Sequence, residues 1–468
     1  MYWIRSILFN VIFIGWTILL LATLWIILPF PRLIFRRAIA FWPKLIFPLM
    51  RVILRLDFEQ RGLDNLPSGP VIFAVKHQST WDTMFFLWLD KNNSYIMKEE
   101  LNKIPFWKSY MTKAGHIVVD RKGGLATMRQ MIKDTKNVLQ EGRSVVIFPE
   151  GTRTQPGKSE VYHPGVAALY GQTKVPIIPV ALNSGIYWGR REFRKSAGKI
   201  IIEFLKPMEK GLKKTEFVSE LKSVIEEATR KLEDEAKAKN FSDLLKKLNF
   251  KNTIFYQNDL KKRLGTSFYK VGVFTNGGIL LNPGKLIKAM VNALPENVIL
   301  FENTTLLKWK KSNENIDCSF EKNNIKTKKI IFCTNGFLSN LGIKKRYNFP
   351  ITLTASMTRP LNEKEFKSIG EPKEWGVLPI RPMGATVRMT KDRRILIRNT
   401  AELRNPNSMS RKELNKRIYF HKIGIEKRFP TLEKDIINSS WSGIVCRSGN
   451  SSQIFEKIDT NIFVAGCY

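Results

Sequence analysis

The stretch from Val71 to Asp82 constrains the fold most, because an apolar, β-branched run ends there in a polar turn. It reads Val-Ile-Phe-Ala-Val-Lys-His-Gln-Ser-Thr-Trp-Asp. The pattern predicts a strand that feeds a helix. Ser79 and Asp82 have the spacing of a capping box, which places the start of the helix at Ser79 and leaves His77 in the turn before it.

His77 and Asp82 can meet only because of this helix start. On one continuous helix, residues five apart point about 140° away from each other. An imidazole held by a carboxylate at one ring nitrogen can take a proton from a hydroxyl at the other, which is the arrangement of a general base. The alternative is that Asp82 only caps the helix and that His77 is an ordinary polar turn residue.

Strands and helices alternate along the segment that follows. The predicted strands are 71–75, 94–97, 117–120, 144–148, 175–182 and 199–204, and the predicted helices are 79–89, 125–140, 166–172 and 217–239. Several strands are almost wholly apolar, which is typical of a sheet covered on both faces. The sequence therefore predicts a layered α/β domain.

Four sequence blocks in a fixed order carry a family resemblance. They are Val71–Asp82, Gly115–Arg121, Val145–Arg153 and Val175–Val180. Together they resemble the blocks of the glycerolipid acyltransferases, in particular the 1-acylglycerol-3-phosphate acyltransferases. The first block of that family is His, four residues and Asp, and it stands here as His77 and Asp82. The resemblance covers roughly residues 40 to 235.

The resemblance implies roles for particular residues. His77 would deprotonate the free hydroxyl of 1-acylglycerol-3-phosphate, which attacks the thioester of acyl-CoA or acyl carrier protein and gives phosphatidic acid, while Asp82 orients the imidazole. No cofactor, metal ion or covalent acyl-enzyme is expected. The implied substrate-binding residues are Gly115, Arg121, Glu150, Gly151, Thr152, Arg153 and Pro179. Without the family, Arg121 and Arg153 would be read as surface or salt-bridge arginines, and Glu150 as the partner of a neighbouring arginine.

The amino-terminal segment predicts a membrane anchor. Residues 6–31 contain no charged side chain, and this length is sufficient to cross about 30 Å of hydrocarbon. Basic residues are more numerous after the segment than before it, which predicts an inner-membrane enzyme with its active site on the cytoplasmic side. Residues 33–56 show a helix-like pattern broken by Pro43 and Pro48, as expected for interfacial segments. The alternative is a buried hydrophobic helix pair.

The formal net charge of +36 narrows the choice of partners. No zinc spacing, RNA-binding motif or dense basic block accompanies it, so we expect no nucleic acid partner. Anionic membrane lipids, a lysophospholipid and an acyl donor fit the charge, although a general bias toward lysine explains part of it. The four cysteines, Cys318, Cys333, Cys446 and Cys467, are widely spaced and predict neither zinc nor disulfides.

The sequence changes character from about residue 241. Tyr269–Phe274, Gly277–Leu286, Ile330–Gly336 and Ile395–Arg398 resemble parts of the FAD-dependent oxidoreductases of the D-amino-acid oxidase type. That family begins with a strand, a Gly-x-Gly-x-x-Gly turn and a helix for the flavin pyrophosphate, and this sequence has no such fingerprint. Its Gly-rich candidate, Asn276-Gly277-Gly278, precedes an apolar run that predicts a strand and not a cofactor-binding helix. We therefore expect an incomplete α+β fragment that does not hold FAD, a joined or truncated remnant of such an enzyme.

The sequence thus predicts three segments, namely an anchor with interfacial helices at 1–56, an acyltransferase domain at 57–240 and a partial FAD-oxidoreductase-like domain at 241–468. Acyl transfer is the predicted activity. The alternatives are an FAD-dependent amine or amino-acid oxidoreductase in the C-terminal half, a non-catalytic binding module there, or another lysophospholipid acceptor. The sequence leaves open the acyl chain length, the acyl donor and the oligomeric state.

Overall fold

The computed structural model describes residues 2–100, 106–120, 123–380, 384–403 and 409–467. The chain divides into two compact units, Met1–Asn249 and Phe250–Tyr468. Each unit has hydrophobic clusters of its own.

The first unit begins with two helices, α1 (Tyr2–Ile27) and α2 (Arg32–Leu49), followed by a π-helical turn at Met50–Leu54. The expected breaks at Pro43 and Pro48 are wrong, because both prolines lie inside α2. The buried residues of α2 recur at helical spacing, and they belong to a core cluster that also includes residues of α1 and α3. Burial of this apolar face offsets the backbone hydrogen bonds that the prolines cannot make.

Helix α1 packs along the first unit at both of its ends. Near its start, the Ser6 hydroxyl accepts a hydrogen bond from the Lys195 N–H at 3.0 Å. About 15 residues and roughly 22 Å further on, the Tyr110 hydroxyl donates to the Leu21 carbonyl at 2.8 Å. Among the described residues, Trp3–Ile27 is the one helical segment long and apolar enough to cross a membrane.

A seven-stranded sheet forms the centre of the first unit. Its strands are β1 (Leu56–Arg61), β2 (Ile72–Val75), β3 (Ser94–Lys98), β4 (Ile117–Val119), β5 (Val145–Ile147), β6 (Ile177–Leu182) and β7 (Gly198–Phe204). The spatial order is β1-β7-β6-β2-β5-β3-β4, and neighbours are parallel except for β6 and β7. Strands β2, β5 and β6 are buried along their whole length, as their apolar sequences predict.

Helices cover both faces of this sheet, which confirms the predicted α/β class. They are α3 (Thr80–Leu89), α4 (Trp107–Ala114), α5 (Gly124–Gln140), α6 (Gly165–Gln172) and α7 (Lys214–Lys247). One core cluster includes residues of α1, α2 and α3, and a second includes residues of α5, α6 and α7. Helix α7 continues eight residues beyond the predicted end at residue 239.

The second unit is built from smaller sheets and is mixed α and β. Its strands are β8 (Asn252–Tyr256), β9 (Val271–Thr275), β10 (Lys308–Ser312), β11 (Asn315–Ser319), β12 (Asn324–Thr327), β13 (Ile330–Phe332), β14 (Asn348–Thr358), β15 (Trp375–Val377), β16 (Thr386–Met389), β17 (Ile395–Leu403), β18 (Ile437–Ser448), β19 (Ile454–Asp459) and β20 (Ile462–Gly466). Its helices are α8 (Gln257–Leu264), α9 (Pro283–Asn292), α10 (Glu363–Ser368) and α11 (Arg411–Arg428).

The largest sheet of the second unit is antiparallel, in the order β15-β16-β17-β14-β18. Buried residues of α11 and β17 share its core cluster. Strand β13 pairs in parallel with β20, which also pairs with β19 in the opposite direction. The remaining sheets are β10-β11-β12 and the hairpin β8-β9.

The strand expected after Asn276-Gly277-Gly278 is absent from the described part of the second unit. The residues there are irregular until α9 begins at Pro283. Proline suits the first position of a helix, and the Asn282 side chain caps the helix by accepting a hydrogen bond from the Lys285 N–H at 3.1 Å. These two residues override the apolar run that suggested a strand.

Candidate active site

The turn between β2 and α3 holds His77 and Asp82 as their spacing predicts. Ser79 has an extended backbone and caps α3, and its hydroxyl accepts a hydrogen bond from the Trp81 N–H at 3.1 Å. Asp82 Oδ2 accepts from the Ser79 N–H at 2.8 Å, which completes a capping box. Asp82 Oδ2 also lies 3.0 Å from His77 Nδ1.

Further contacts fix the Asp82 carboxylate. Oδ2 accepts from the Gln78 N–H at 2.7 Å, and Oδ1 accepts from the Ser184 hydroxyl at 2.5 Å. The Asp82 side chain is fully buried, whereas 14% of the His77 side chain is exposed. Hydrogen bonds to a buried carboxylate hold it in one orientation and stabilise its charge. The carboxylate is therefore fixed before any substrate arrives.

The His77 ring is held on its face as well as at Nδ1. It stacks on Phe148 with a centroid separation of 4.0 Å. The His77 carbonyl accepts a hydrogen bond from the Thr154 N–H at 2.8 Å, which ties the turn to the segment after β5. With Nδ1 on Asp82, Nε2 is the nitrogen that remains for a reacting group.

Arg153 lies at the start of the same helix. Its Nη1 donates to the Thr80 hydroxyl at 2.7 Å, and Thr80 is the first residue of α3. Burial lowers the pKa of Arg153, the charges of Arg190 and Arg191 lower it further, and the charge of Asp82 acts in the opposite direction. A helix N-terminus and an arginine fork together favour a bound anion.

Glu150 faces inward, into a buried ion-pair network. One of its oxygens lies 2.7 Å from Lys76 Nζ, and that nitrogen is also 2.6 Å from Glu226 on α7. The Tyr162 hydroxyl donates to Glu226 at 3.2 Å. The side chains of Lys76 and Glu150 are fully buried. The geometry therefore gives Glu150 a place in the scaffold beneath the turn that holds His77 and Asp82.

The other residues expected at the substrate site lie in different surroundings. Gly115 ends α4 with φ of +74°, and Gly151 adopts φ of +60° in the turn after β5. Thr152 is half-buried. Pro179 is buried within β6 opposite Ala74. The predicted contact at Arg121 lies outside the described residues.

The structure adds residues that the sequence did not single out. Ser184 follows β6 and reaches Asp82 across 102 positions of the chain. Gln78 accepts from the Gly185 N–H at 3.1 Å and donates to Glu233 at 2.8 Å. No local pattern links these positions, so only the fold reveals them. The position of Lys76 could have been noticed in the sequence, because it directly follows an apolar strand. A lysine buried at such a position needs a carboxylate partner.

An apolar cavity of about 150 Å³ lies beside the site. Phe148, whose ring stacks on His77, is among the residues that line it, with Met97, Met128 and Met131. Flexible methionine side chains suit an apolar group of variable shape. The cavity is thus a candidate pocket for part of an acyl chain.

The described residues do not fit a flavin pyrophosphate at the glycine pair of the second unit. Asn276-Gly277-Gly278 leads into irregular chain, and the helix that follows starts at Pro283, which has no N–H. The Lys285 N–H of its first turn is already bonded to Asn282. Within the described ranges, no group of three or more His, Cys, Asp and Glu side chains is placed to hold a metal ion.

The sequence is similar to those of known proteins. Residues 57–183 match the family model described as Acyltransferase. The chain is 34% identical over 174 residues to a 1-acyl-sn-glycerol-3-phosphate acyltransferase of Pseudomonas aeruginosa, covering 37% of this chain and 67% of that protein. The chain spans 50 to 60% of the next curated relatives, from Limnanthes and Saccharomyces cerevisiae.

Solved structures are similar to each half of the chain. The 1-acyl-sn-glycerophosphate acyltransferase PlsC of Thermotoga maritima matches with a TM-score of 0.40 and 22% identity, covering 50% of this chain and 98% of that one. Neighbours of the C-terminal part include glycine oxidase of Geobacillus kaustophilus, with a TM-score of 0.39, 13% identity and coverage of 48% of this chain and 60% of that one, and an L-alpha-glycerophosphate oxidase of Mycoplasma pneumoniae with FAD bound, with a TM-score of 0.36, 15% identity and coverage of 46% and 59%. By its sequence relatives, this chain belongs to the acyltransferase family that includes the 1-acyl-sn-glycerol-3-phosphate acyltransferases.

Proposed function

We propose that the chain is a membrane-associated enzyme that transfers an acyl group from acyl-CoA or acyl carrier protein to the free hydroxyl of 1-acylglycerol-3-phosphate. The product is phosphatidic acid. The contact between His77 Nδ1 and the buried Asp82 carboxylate, at 3.0 Å, carries this proposal. Here an imidazole held by a buried carboxylate remains partly exposed.

The reaction follows from the positions of the two side chains. His77 Nε2 takes the proton of the acceptor hydroxyl as its oxygen attacks the thioester carbonyl. The tetrahedral intermediate collapses, the carbon–sulfur bond breaks, and the imidazolium returns the proton to the leaving thiolate. Asp82 stabilises the imidazolium and keeps Nδ1 toward itself, held by the Gln78, Ser79 and Ser184 donors. No covalent acyl-enzyme is required.

The acceptor is oriented by charge and the acyl chain by apolar surface. Arg153 at the start of α3 is the proposed contact for the phosphate monoester. The cavity beside Phe148 is the proposed pocket for part of the acyl chain. A positively charged residue near an apolar cavity favours substrates that carry both a phosphate group and a hydrocarbon chain.

Helix α1 supports membrane association. Its sides expose large apolar residues, including Ile4, Val11 and Ile18. Because both ends of α1 contact the first unit, the packing favours an orientation of α1 along the bilayer surface over one across it. In α2, Arg32 and Arg37 are exposed beside Leu33 and Ile34, as in an interfacial helix on the cytoplasmic side.

An acyl transfer assay on the purified full chain tests the proposal. The donors are acyl-CoA and acyl carrier protein, and the acceptors are 1-acylglycerol-3-phosphate, other lysophospholipids and monoacylglycerol. We expect phosphatidic acid as the main product, and none from His77→Ala. If only another lysophospholipid accepted the acyl group, that lipid would take the place of 1-acylglycerol-3-phosphate in the proposal. No transfer with any pair of donor and acceptor would disprove the proposed function.

A further inference from the structure

The loop from Gly189 to Lys195 brings strong positive charge to the active site. It reads Gly-Arg-Arg-Glu-Phe-Arg-Lys, with four basic residues and one acidic residue. Arg190 Nη1 donates to the Arg153 carbonyl at 2.9 Å. The loop therefore contacts the residue that lies at the start of α3. Neither Arg190 nor Arg191 belongs to the sequence blocks that pointed to the substrate site.

Arg153, Arg190 and Arg191 lie near enough for their charges to act on one another, while the charge of Asp82 acts on Arg153 in the opposite direction. The charges of Arg190 and Arg191 both lower the pKa of Arg153, in addition to its burial. Within the described ranges, none of the three has a carboxylate within ion-pair distance. Arg191 also has a left-handed backbone with φ of +58°, which is uncommon for a residue with a long side chain. An anion bound between the groups would relieve their mutual repulsion.

Helix α1 holds the far end of the same loop. The Ser6 hydroxyl accepts from the Lys195 N–H at 3.0 Å, and Asn10 donates to the Phe193 carbonyl at 2.9 Å. Lys195 Nζ in turn donates to Asn10 Oδ1 at 2.7 Å. Ser6, Asn10 and Lys195 are buried, and the Trp3 ring stacks on Phe193. The loop is therefore fixed between the membrane-associated helix and the active site.

We propose that Arg190 and Arg191 form, together with Arg153, a binding site for a substrate phosphate group, and that α1 positions this site through Ser6 and Asn10. The inference rests on the proposed function and extends it. The shared chemistry is a phosphate, carried either by the acceptor as a monoester or by the acyl donor on its pantetheine arm or nucleotide. Helix α1 thereby has two roles, in membrane binding and in substrate binding.

Kinetics on the full chain in neutral detergent separate the two sources of phosphate. Arg190→Ala and Arg191→Ala are expected to raise one Michaelis constant about tenfold, the usual loss for one charge-assisted contact, with kcat within about twofold. Arg190→Lys should recover part of the loss.

A higher Michaelis constant for the acceptor identifies its phosphate monoester as the bound group, and a higher Michaelis constant for the acyl donor identifies the donor phosphate. Lys210→Ala, which removes one exposed charge elsewhere, is the matched control. Unchanged constants for both substrates would overturn the proposal.

A binding measurement distinguishes failure of this site from failure of the proposed function. Calorimetry in neutral detergent micelles compares 1-acylglycerol-3-phosphate, monoacylglycerol and acyl-CoA, in the wild type and in the Arg190→Ala, Arg191→Ala double variant. The expected result is tighter binding of a phosphate-bearing ligand that the double variant loses. Should the wild type transfer no acyl group yet bind such a ligand through these arginines, only the reaction is wrong. Equal binding by the wild type and the double variant would disprove the site.

The contribution of α1 has its own test. Asn10→Ala should raise the same Michaelis constant as Arg190→Ala by a smaller factor, because the loop loses one anchor but keeps its arginines. Thr23→Ala, an exposed polar change on the same helix, is the control. A Michaelis constant in Asn10→Ala equal to that of the control would show that α1 does not position the loop.

Discussion

Ser184 donates a hydrogen bond to Asp82 Oδ1 at 2.5 Å, and both side chains are fully buried. The opposite oxygen of the same carboxylate faces His77 Nδ1. Ser184 thus limits rotation of the carboxylate that orients the histidine. It lies in a short 3₁₀ helix after β6, 102 positions along the chain from Asp82.

Ser184→Ala should lower kcat roughly ten- to a hundredfold, the range for a lost hydrogen bond to a charged group. The Michaelis constants should stay near the wild-type values, because Ser184 contacts Asp82 and no proposed substrate group. Ser184→Thr, which keeps a hydroxyl, should retain more activity if the methyl group fits. A large rise in either Michaelis constant with kcat unchanged would argue against a positioning role.

His77 and Asp82, the proposed catalytic pair, should respond differently to substitution. His77→Ala should abolish acyl transfer with little change in Tm, because the ring is partly exposed and lies outside α3. Asp82→Asn should abolish transfer and also lower Tm, since its carboxylate accepts the Gln78 and Ser79 N–H groups. Thermal unfolding beside the activity assay checks both. Activity of His77→Ala within a few-fold of the wild type would disprove the mechanism.

Local patterns were sufficient to predict the turn that brings His77 and Asp82 together. The strand, the Ser79 cap and the contact between His77 and Asp82 all arise within twelve residues, so spacing alone determines them. The contacts of Ser184 and Arg190 depend instead on how β6 and the following loop are placed against α3, which no local pattern encodes. Tertiary packing likewise overrode the helix-breaking tendency of Pro43 and Pro48.

Lys76→Met should destabilise the first unit by about 3–5 kcal/mol, because it leaves Glu150 and Glu226 buried without their cation. For a unit of this size the corresponding fall in Tm is on the order of 10 °C. Lys174→Met, at an exposed position, serves as the control. If Lys76→Met kept the wild-type Tm, the ion-pair network would not stabilise the first unit.

His116 should make the first unit sensitive to mild acid. Burial, and then the charges of Arg143 and Arg36, lower its pKa from 6.5 to about 3, and its Nδ1 accepts a hydrogen bond from the Tyr95 N–H. Between pH 6.5 and pH 3, His116 is protonated in the unfolded chain but neutral in the folded one, so protons favour the unfolded chain. The free energy of unfolding is therefore unaffected by His116 above pH 6.5 and declines as pH falls toward 3. At pH 5 the loss is about 2 kcal/mol.

Urea unfolding in neutral detergent at pH 7 and at pH 5 measures this loss. Glutamine cannot bind the proton. The free energy of unfolding of His116→Gln should therefore fall less than that of the wild type between pH 7 and pH 5. Other groups titrate equally in both proteins and cancel in the comparison. Identical pH dependence in the two proteins would show that His116 is not responsible.

The first unit should fold and act without the second. Helix α7 extends to Lys247, and its Glu226, Glu233 and Ser242 are buried. A chain of residues 1–249 should therefore keep acyl transfer when expressed alone, whereas one that stops at 239 should lose stability because it lacks the last two turns of α7. The full chain should purify without flavin absorbance, since the turn at Asn276-Gly277-Gly278 offers no helix N-terminus for a pyrophosphate. Stoichiometric bound FAD, or peroxide released on addition of an amine, would contradict this view of the second unit, and an inactive chain of residues 1–249 would show that acyl transfer requires that unit.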